Sequence, residues 1–448
     1  MCESFSTSPF FQVGADLDER AMRLSVTRYG QHFRLVVVGG GAAGMGASHK
    51  FARKLPKFSI AVIEPNEYHY YQPGFTMVGG GWMTIEQNTR REKDLIHPKT
   101  VWIRSHAAKF EPKRNLVRLR SGDEITYDYM ILATGLQLRW DLVKGLPEAL
   151  ETPGVTSNYS PFHCTKTFKE LNTVTSGNCV FTFPNTPIKC AGAPQKVCYY
   201  GEDIVSRRGY RDRTNFIYAT SLARLFGIEA YLKSLNAIAK AKNIDVRTRH
   251  NLIEVDTNNK IAKFELLDEN CIPNGKVSEI PYSLLHIGPP CSTPQAVREC
   301  RELTDEKGWV DVDPLTLRSK HFANVFAAGD CMNTSNAKTA AAVSSHLKTL
   351  EKNLTAVLEG REPPAHYDGY ASCPLLISRS KAILAEFSAN GQRMETTPLD
   401  QSVPRRLAWY MKRYLMPFLY WRFLVKGRWN GPATIRKILH LGFVPKAK

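Results

Sequence analysis

The feature that most constrains this chain is a glycine turn. Gly39, Gly41 and Gly44 form G-x-G-x-x-G directly after the apolar run 33–38 and at the head of a stretch of small residues that begins with Ala42 and Ala43. A buried strand that turns into a helix at this spacing commits the segment to a βαβ unit. The first glycine makes the turn, the second opens the backbone to a pyrophosphate and the third lets helix and strand pack. Glu64 closes the next apolar run, 59–63, twenty residues after Gly44, where a carboxylate accepts from a ribose hydroxyl. Strand, turn, helix and acid together predict a dinucleotide site, with the free N–H groups and positive dipole end of the helix facing the phosphates.

Further apolar runs at 130–134 and 325–328 each end in a glycine turn, and 179–183 opens a second strand, with a helix expected over 221–242 and a strand near 245–248. Alternating strands and helices predict an α/β fold class with two Rossmann-like domains, the second inserted in the first, and a C-terminal amphipathic helical region. The expected division is a leader over 1–32, the dinucleotide domain over 33–150 and 301–372, the inserted domain over 151–300 and the C-terminal region over 373–448.

With 448 residues and 43% hydrophobic side chains, the net charge of +18 does not prevent folding. No apolar run reaches the roughly 18–20 residues of a spanning helix. Ten cysteines scattered through a long chain without any C-x-x-C pair exclude a secreted disulfide scaffold and leave no metal site. From Met22 onward Arg23, Arg28 and Arg34 read either as a short basic targeting segment or as a disordered leader. Residues 401–448 carry eleven Lys/Arg, no acid, and many aromatics including Trp409, Tyr414, Phe418 and Trp421. Cations mixed with amphipathic rings suit a phospholipid headgroup layer, and Ile435, Ile438 and Leu439 share one helix face after Pro432. A dimer face remains open. Nucleic acid is not expected, because no fold-level motif of that class is present.

Residues 126–135 (TYDYMILATG) and 324–330 (NVFAAGD) resemble the second and third signatures of flavoproteins with two dinucleotide-binding domains. The resemblance implies FAD. It also implies Asp330 on the ribityl chain, Gly135 and Gly329 in the cofactor turns, Lys338 beside the flavin, and Gln72 and Ala107 in contact with FAD. No cysteine lies between Gly135 and Pro161, so the FAD is expected to be non-covalent.

Relatives of that kind carry a second glycine loop where a nicotinamide docks. Here the corresponding segment, 183–196, reads F-P-N-T-P-I-K-C-A-G-A-P-Q-K. Its prolines remove backbone donors and fix φ, so the electron donor is not expected to be NAD(P)H. Lys189 and Lys196 flank Cys190, and nearby cations favour a thiolate. This loop, the segment 367–375 (YDGYASCPL) and the segment 416–421 (MPFLYW) resemble the sulfide:quinone oxidoreductase family, its mitochondrial members in particular, over about residues 33–443.

That resemblance implies hydrogen sulfide as donor, ubiquinone as acceptor, and a redox bridge between Cys190 and Cys373. Cys373 would carry a persulfide passed on to glutathione or sulfite, and Cys190 would reduce the flavin; the residues alone leave these two roles open. It further implies proton handling by Glu148, Lys196 and Lys412, a quinone pocket lined by Phe387 and Phe418, and monotopic attachment to the matrix side of the mitochondrial inner membrane. An NADH:quinone oxidoreductase of related fold is the alternative.

Overall fold

The computed structural model describes residues 31–335 and 337–442. Apart from Gln31 and His32, the expected leader lies outside the described residues, as does the end of the basic tail.

The run without polar alternation becomes β1 (Gln31–Val38), whose Leu35, Val36 and Val37 are sealed on both faces, as a central parallel strand requires. It turns into α1 (Ala42–Phe51), followed by β2 (Ile60–Ile63), β3 (Val101–Ile103), β4 (Ala107–Glu111), β5 (Leu116–Leu119) and β6 (Glu124–Leu132). The order across the sheet is β3-β2-β1-β6-β5-β4. β1 runs parallel to both neighbours, with Val36 opposite Ala61 on one side and Met130 on the other.

A second sheet is built from β7 (Val155–Thr156) and β8 (Gly177–Phe183), then α2 (Ala193–Arg207), β9 (Thr214–Thr220), α3 (Glu229–Ala241) and β10 (Ile244–Arg247). The helix expected from residue 221 starts only at Glu229, behind a loop containing Gly227, with the acid placed in its first turn. β11 (His250–Asp256), β12 (Ile261–Leu267) and β13 (Pro273–Pro281) form a separate antiparallel sheet. The chain then re-enters the second sheet as β14 (Leu284–His286), giving the order β7-β14-β8-β9-β10.

β15 (Val325–Ala327) returns to the first sheet, Val325 opposite Met130. α4 (Ala340–Leu358) follows, capped by the Thr339 hydroxyl, which accepts from the Ala342 N–H. Leu347, Leu350 and Leu354 of α4 share one apolar cluster with Ala43, Met45 and Ala47 of α1. β16 (Ala371–Leu376) and β17 (Ala382–Phe387) pair antiparallel, with Cys373 opposite Ala385.

The tail winds through α and π turns between Arg406 and Leu424 and then forms α5 (Ala433–Leu439). Tyr420, Leu424 and Val425 are buried against Ala47 and Phe51 of α1; each such burial is worth about 2 kcal/mol. The outer side is unlike a soluble helix. In α5 Arg436 is the buried residue, while Ile435, Ile438 and Leu439 are 41%, 67% and 45% exposed. No described helix is long and apolar enough to cross a membrane.

Candidate active site

Two strand-to-helix turns carry the site. In the first, Gly39 has φ +103°, and a Cβ there would lie 2.5 Å from the Ala133 carbonyl oxygen. A Cβ on Gly44 would lie 1.7 Å from the Gly39 oxygen, so the helix can approach the strand only with glycine at that position. Gly41 and Gly135 instead face open space within 4 Å, and α1 begins without any side-chain cap. Glu64 accepts from the Gly40 N–H (2.7 Å) and from the backbone and amide N–H groups of Asn66 (2.8 and 2.6 Å). With about four acceptor positions on a carboxylate, one is left for a ribose hydroxyl.

Gly329 (φ +87°) packs against Ala43, and Asp330 follows it. The Asp330 carboxylate has no hydrogen-bond partner among the described residues; burial raises its pKa, against Lys338 and Lys189. A bare helix N-terminus, an open second glycine and an orphaned carboxylate fit a dinucleotide cofactor. Ala107 opens β4 at the far edge of the sheet, opposite Leu119. Lys338 is fixed by donating to the carbonyls of Asp330 and Met332 (2.8 Å each), with its ammonium 4.2 Å from the centroid of the Trp309 ring.

In the second turn the loop after β8 folds back onto Lys338. The Cys190 N–H donates to the Lys338 carbonyl (2.8 Å), and Cys190 takes the left-handed conformation, φ +51°. Lys189 turns away from the thiol: its ammonium donates to Gln72 Oε1 at 2.5 Å. Lys196, in the first turn of α2 and 1% exposed, supplies the cation instead, with Nζ 3.1 Å from Cys190 Sγ. Cys373, distant in sequence, is brought in by β16 so that the two sulfurs stand 4.0 Å apart.

The electrostatics of this pair are asymmetric. The hydrogen bond from Cys373, followed by the charge of Lys196, holds the Cys190 thiol well below the ordinary thiol range against the opposing effect of burial. Cys373 is pushed well above it, by that same hydrogen bond and by burial. Burial alone would lower Lys196, but the charges of Cys190 and Cys373 outweigh it and carry it to about 12. Lys412 sits in a π turn, 3% exposed; burial, then repulsion from Lys196, lowers it to about 7, and its ammonium donates to the Pro73 carbonyl (3.3 Å).

Sequence reading missed two residues here. Gly192 is where α2 meets β16: a Cβ there would lie 2.7 Å from Cys373 Sγ. Tyr159, 2% exposed, donates from its hydroxyl to the Cys190 carbonyl (3.3 Å). Tyr159 carries no motif and Gly192 is one residue within the cysteine loop; the contacts of both are visible only in the folded chain.

Two expectations fall elsewhere. Glu148 is exposed, and its helical turn packs Leu146 and Ala149 against Leu252 and Val255, in a cluster separate from that of the cysteines. Phe387 is buried in the same core as Cys373, whereas Phe418 is 53% exposed and meets Phe423 edge-on, so the two rings have different surroundings.

The fold and this pair of turns are those of an FAD-dependent oxidoreductase. Residues 33–176 match the pyridine nucleotide-disulphide oxidoreductase family, a match that stops just before β8. Mitochondrial sulfide:quinone oxidoreductase of Mus musculus is 41% identical over 92% of this chain and 90% of its own length. The sulfide:quinone oxidoreductase structure from Aquifex aeolicus superposes with a TM-score of 0.74 at 19% identity, covering 93% of this chain and 96% of that one. NDH2 from Plasmodium falciparum, solved with NADH, is more distant: TM-score 0.50, 13% identity, 67% of this chain and 64% of that one. This chain belongs to the sulfide:quinone oxidoreductase family, in its mitochondrial branch.

Proposed function

We propose that the chain oxidises hydrogen sulfide at Cys190 and Cys373 and delivers the electrons through non-covalently bound FAD to ubiquinone. The observation that carries this reading is the thiol pair, 183 residues apart in sequence and 4.0 Å apart in space, with a buried ammonium on one member. In the oxidised pair, hydrosulfide attacks the Cys373 sulfur; the new sulfur–sulfur bond is a persulfide, and the bond that breaks releases Cys190 as thiolate. Lys196 and the N-terminal end of α2 stabilise that leaving thiolate. A small thiol or sulfite, glutathione being the thiol class, then removes the outer sulfur from Cys373. The flavin supplies two-electron acceptance from the thiols and delivery to quinone. Gly39, Gly41, Ala42, Ala43, Gly44, Glu64, Ala107, Gly135, Gly329 and Asp330 would hold it, with Gln72 and Lys338 beside its ring. Lys412, titrating near neutrality, is the group suited to move a proton at the thiols.

The second sheet serves as a scaffold for the thiol loop, without a nicotinamide site. The tail is the membrane attachment, on the matrix side of the inner mitochondrial membrane, where a lipid-soluble quinone is reached beside Phe387. Among the described residues, more than half of the exposed large apolar side chains lie between Val403 and Leu441, which supports this part of the reading. The test is anaerobic bleaching of the purified flavoprotein by sulfide and, separately, by NADH, in wild type and Cys190→Ser. Bleaching by sulfide that the substitution abolishes is expected. Bleaching by NADH that survives the substitution would move the chain to the NADH:quinone class.

A further inference from the structure

A second site lies away from the thiols, at the end of α1 remote from the glycine turn. There His49, Leu95 and Trp421 line a cavity of about 610 Å³ between the first sheet's helix and the tail. Arg53, Arg90, Arg422, Lys426 and Arg428 also line it, against a single acid, Asp94. Asp94 is engaged by Arg91 at 3.1 Å, and none of the five cations forms an ion pair among the described residues. Two of the cations are held in place. Arg53 donates to the carbonyls of Lys426 and Gly427, and the Arg90 guanidinium stands 4.9 Å from the centroid of the Trp421 ring. His49 is buried and gives its Nε2 to the Leu95 carbonyl at 2.7 Å.

A concave surface with this excess of guanidinium groups, two of them fixed, suits an anion whose oxygens accept paired N–H···O bonds, phosphate chemistry above all. Burial, then crowding by neighbouring cations, lowers both His97 and Lys426, as expected where positive charge lacks its counter-ion. What decides the source of the phosphate is the neighbourhood. Tyr414, Phe418 and Arg422 follow at four-residue spacing and all three are exposed, so the cavity's Arg422 sits one turn beyond the apolar outer face.

We infer that this cavity binds the phosphodiester headgroup of an anionic phospholipid, whose acyl chains continue along the exposed face of Tyr414 and Phe418. The inference rests on membrane attachment through the tail. It makes the cavity a lipid-selecting clamp that sets how the enzyme sits on the bilayer.

The test is flotation of the flavin-loaded enzyme with vesicles of phosphatidylcholine alone and of phosphatidylcholine containing phosphatidylglycerol. Three proteins are compared: wild type, Arg422→Gln/Arg428→Gln, and the charge-matched tail variant Arg405→Gln/Arg406→Gln. Wild type should prefer the anionic vesicles; the cavity variant should lose about tenfold of that preference and the control about threefold or less, since a diffuse field would treat equal charge losses alike. Equal losses in the two variants overturn the inference. Equal flotation of wild type with both vesicles overturns it while leaving membrane attachment intact, and failure to float with either removes both. A separate arm measures thermal shift with inorganic phosphate. Stabilisation of wild type but not of the cavity variant, without vesicle preference, would make free phosphate the occupant and overturn the lipid assignment.

Discussion

The two strand-to-helix turns of this molecule are the same device put to opposite uses. Both follow a buried parallel strand, β1 or β8, and both present a helix N-terminus without a side-chain cap. At the first turn the backbone is left open: Gly41 has free space around it, and the amide ends of α1 face a cofactor site. At the second turn the backbone is spent. The Cys190 N–H goes to the Lys338 carbonyl, the Ala193 N–H goes back to the Cys190 carbonyl, and Pro184, Pro187 and Pro194 have no N–H to give. A helix end that can no longer cradle a phosphate still has its dipole, and here the nearest acidic group is a thiol. On the proposed function, replacing a phosphate cradle by a cysteine loop changes the electron donor without changing the topology.

The comparison breaks most sharply at the thiols. Cys190→Ser or Cys373→Ser should lower sulfide-driven turnover by at least about 10³-fold while the flavin absorbance of the purified protein is unchanged, because neither thiol belongs to the first turn. Next come the glycines. Gly44→Ala should cost the flavin itself, read as cofactor content per chain, since its Cβ meets the Gly39 oxygen. Gly192→Ala should retain flavin and destabilise by about 1–3 kcal/mol in a urea melt, because its methyl must push into Cys373. If both alanines behaved alike, the division of labour between the turns would fail.

Lys196→Met sharpens the electrostatic half. Without the ammonium at 3.1 Å the Cys190 pKa rises, so sulfide-driven rates at pH 7 should fall about 10–100-fold and recover partly toward alkaline pH. A pH profile displaced without a change of shape would support this; a uniform loss at all pH values would not. A further effect is on the pH dependence of stability. Lys412 has a folded pKa near 7 against 10.5 for the free side chain. Between those values the unfolded chain holds the proton and the folded one does not, so this residue makes stability rise with pH across that window. At and below pH 7 the burial penalty is fully present. Lys412→Met should therefore raise the Tm most at or below pH 7 and progressively less toward pH 10.

The first turn was legible in the sequence because nearly every part of it is local. Gly39 to Glu64 lie within one βαβ unit, and Gly44 is dictated by a backbone approach only five residues away; the approach of Ala133 to Gly39 is the one long-range part. Cys190 was legible for a negative reason, its prolines standing where a second glycine loop would be. Its partner cation was not. Lys189 and Lys196 flank the cysteine in sequence, yet helix geometry turns Lys196 onto the sulfur while Lys189 reaches Gln72. The outward face of α5 was read as amphipathic, but which side faced the core was hidden, since Arg436 is the buried residue. The antiparallel sheet of β11 to β13 left little trace, because strands such as Pro273–Pro281 are mostly exposed and carry no apolar alternation.

By itself, then, the sequence determined the two α/β units and the cofactor turn, and it singled out Cys190 by the prolines around it; Cys373 was marked only by the resemblance of its segment to a known family. What the residues gave directly follows from spacing, proline and glycine chemistry within single segments. Tertiary structure alone decided the 4.0 Å approach of Cys190 to Cys373, the opposite shifts of their acidities and the basic cavity where α1 meets the tail. Each of these is a sum of distances and desolvation between segments remote in the chain, and no local pattern encodes such a sum.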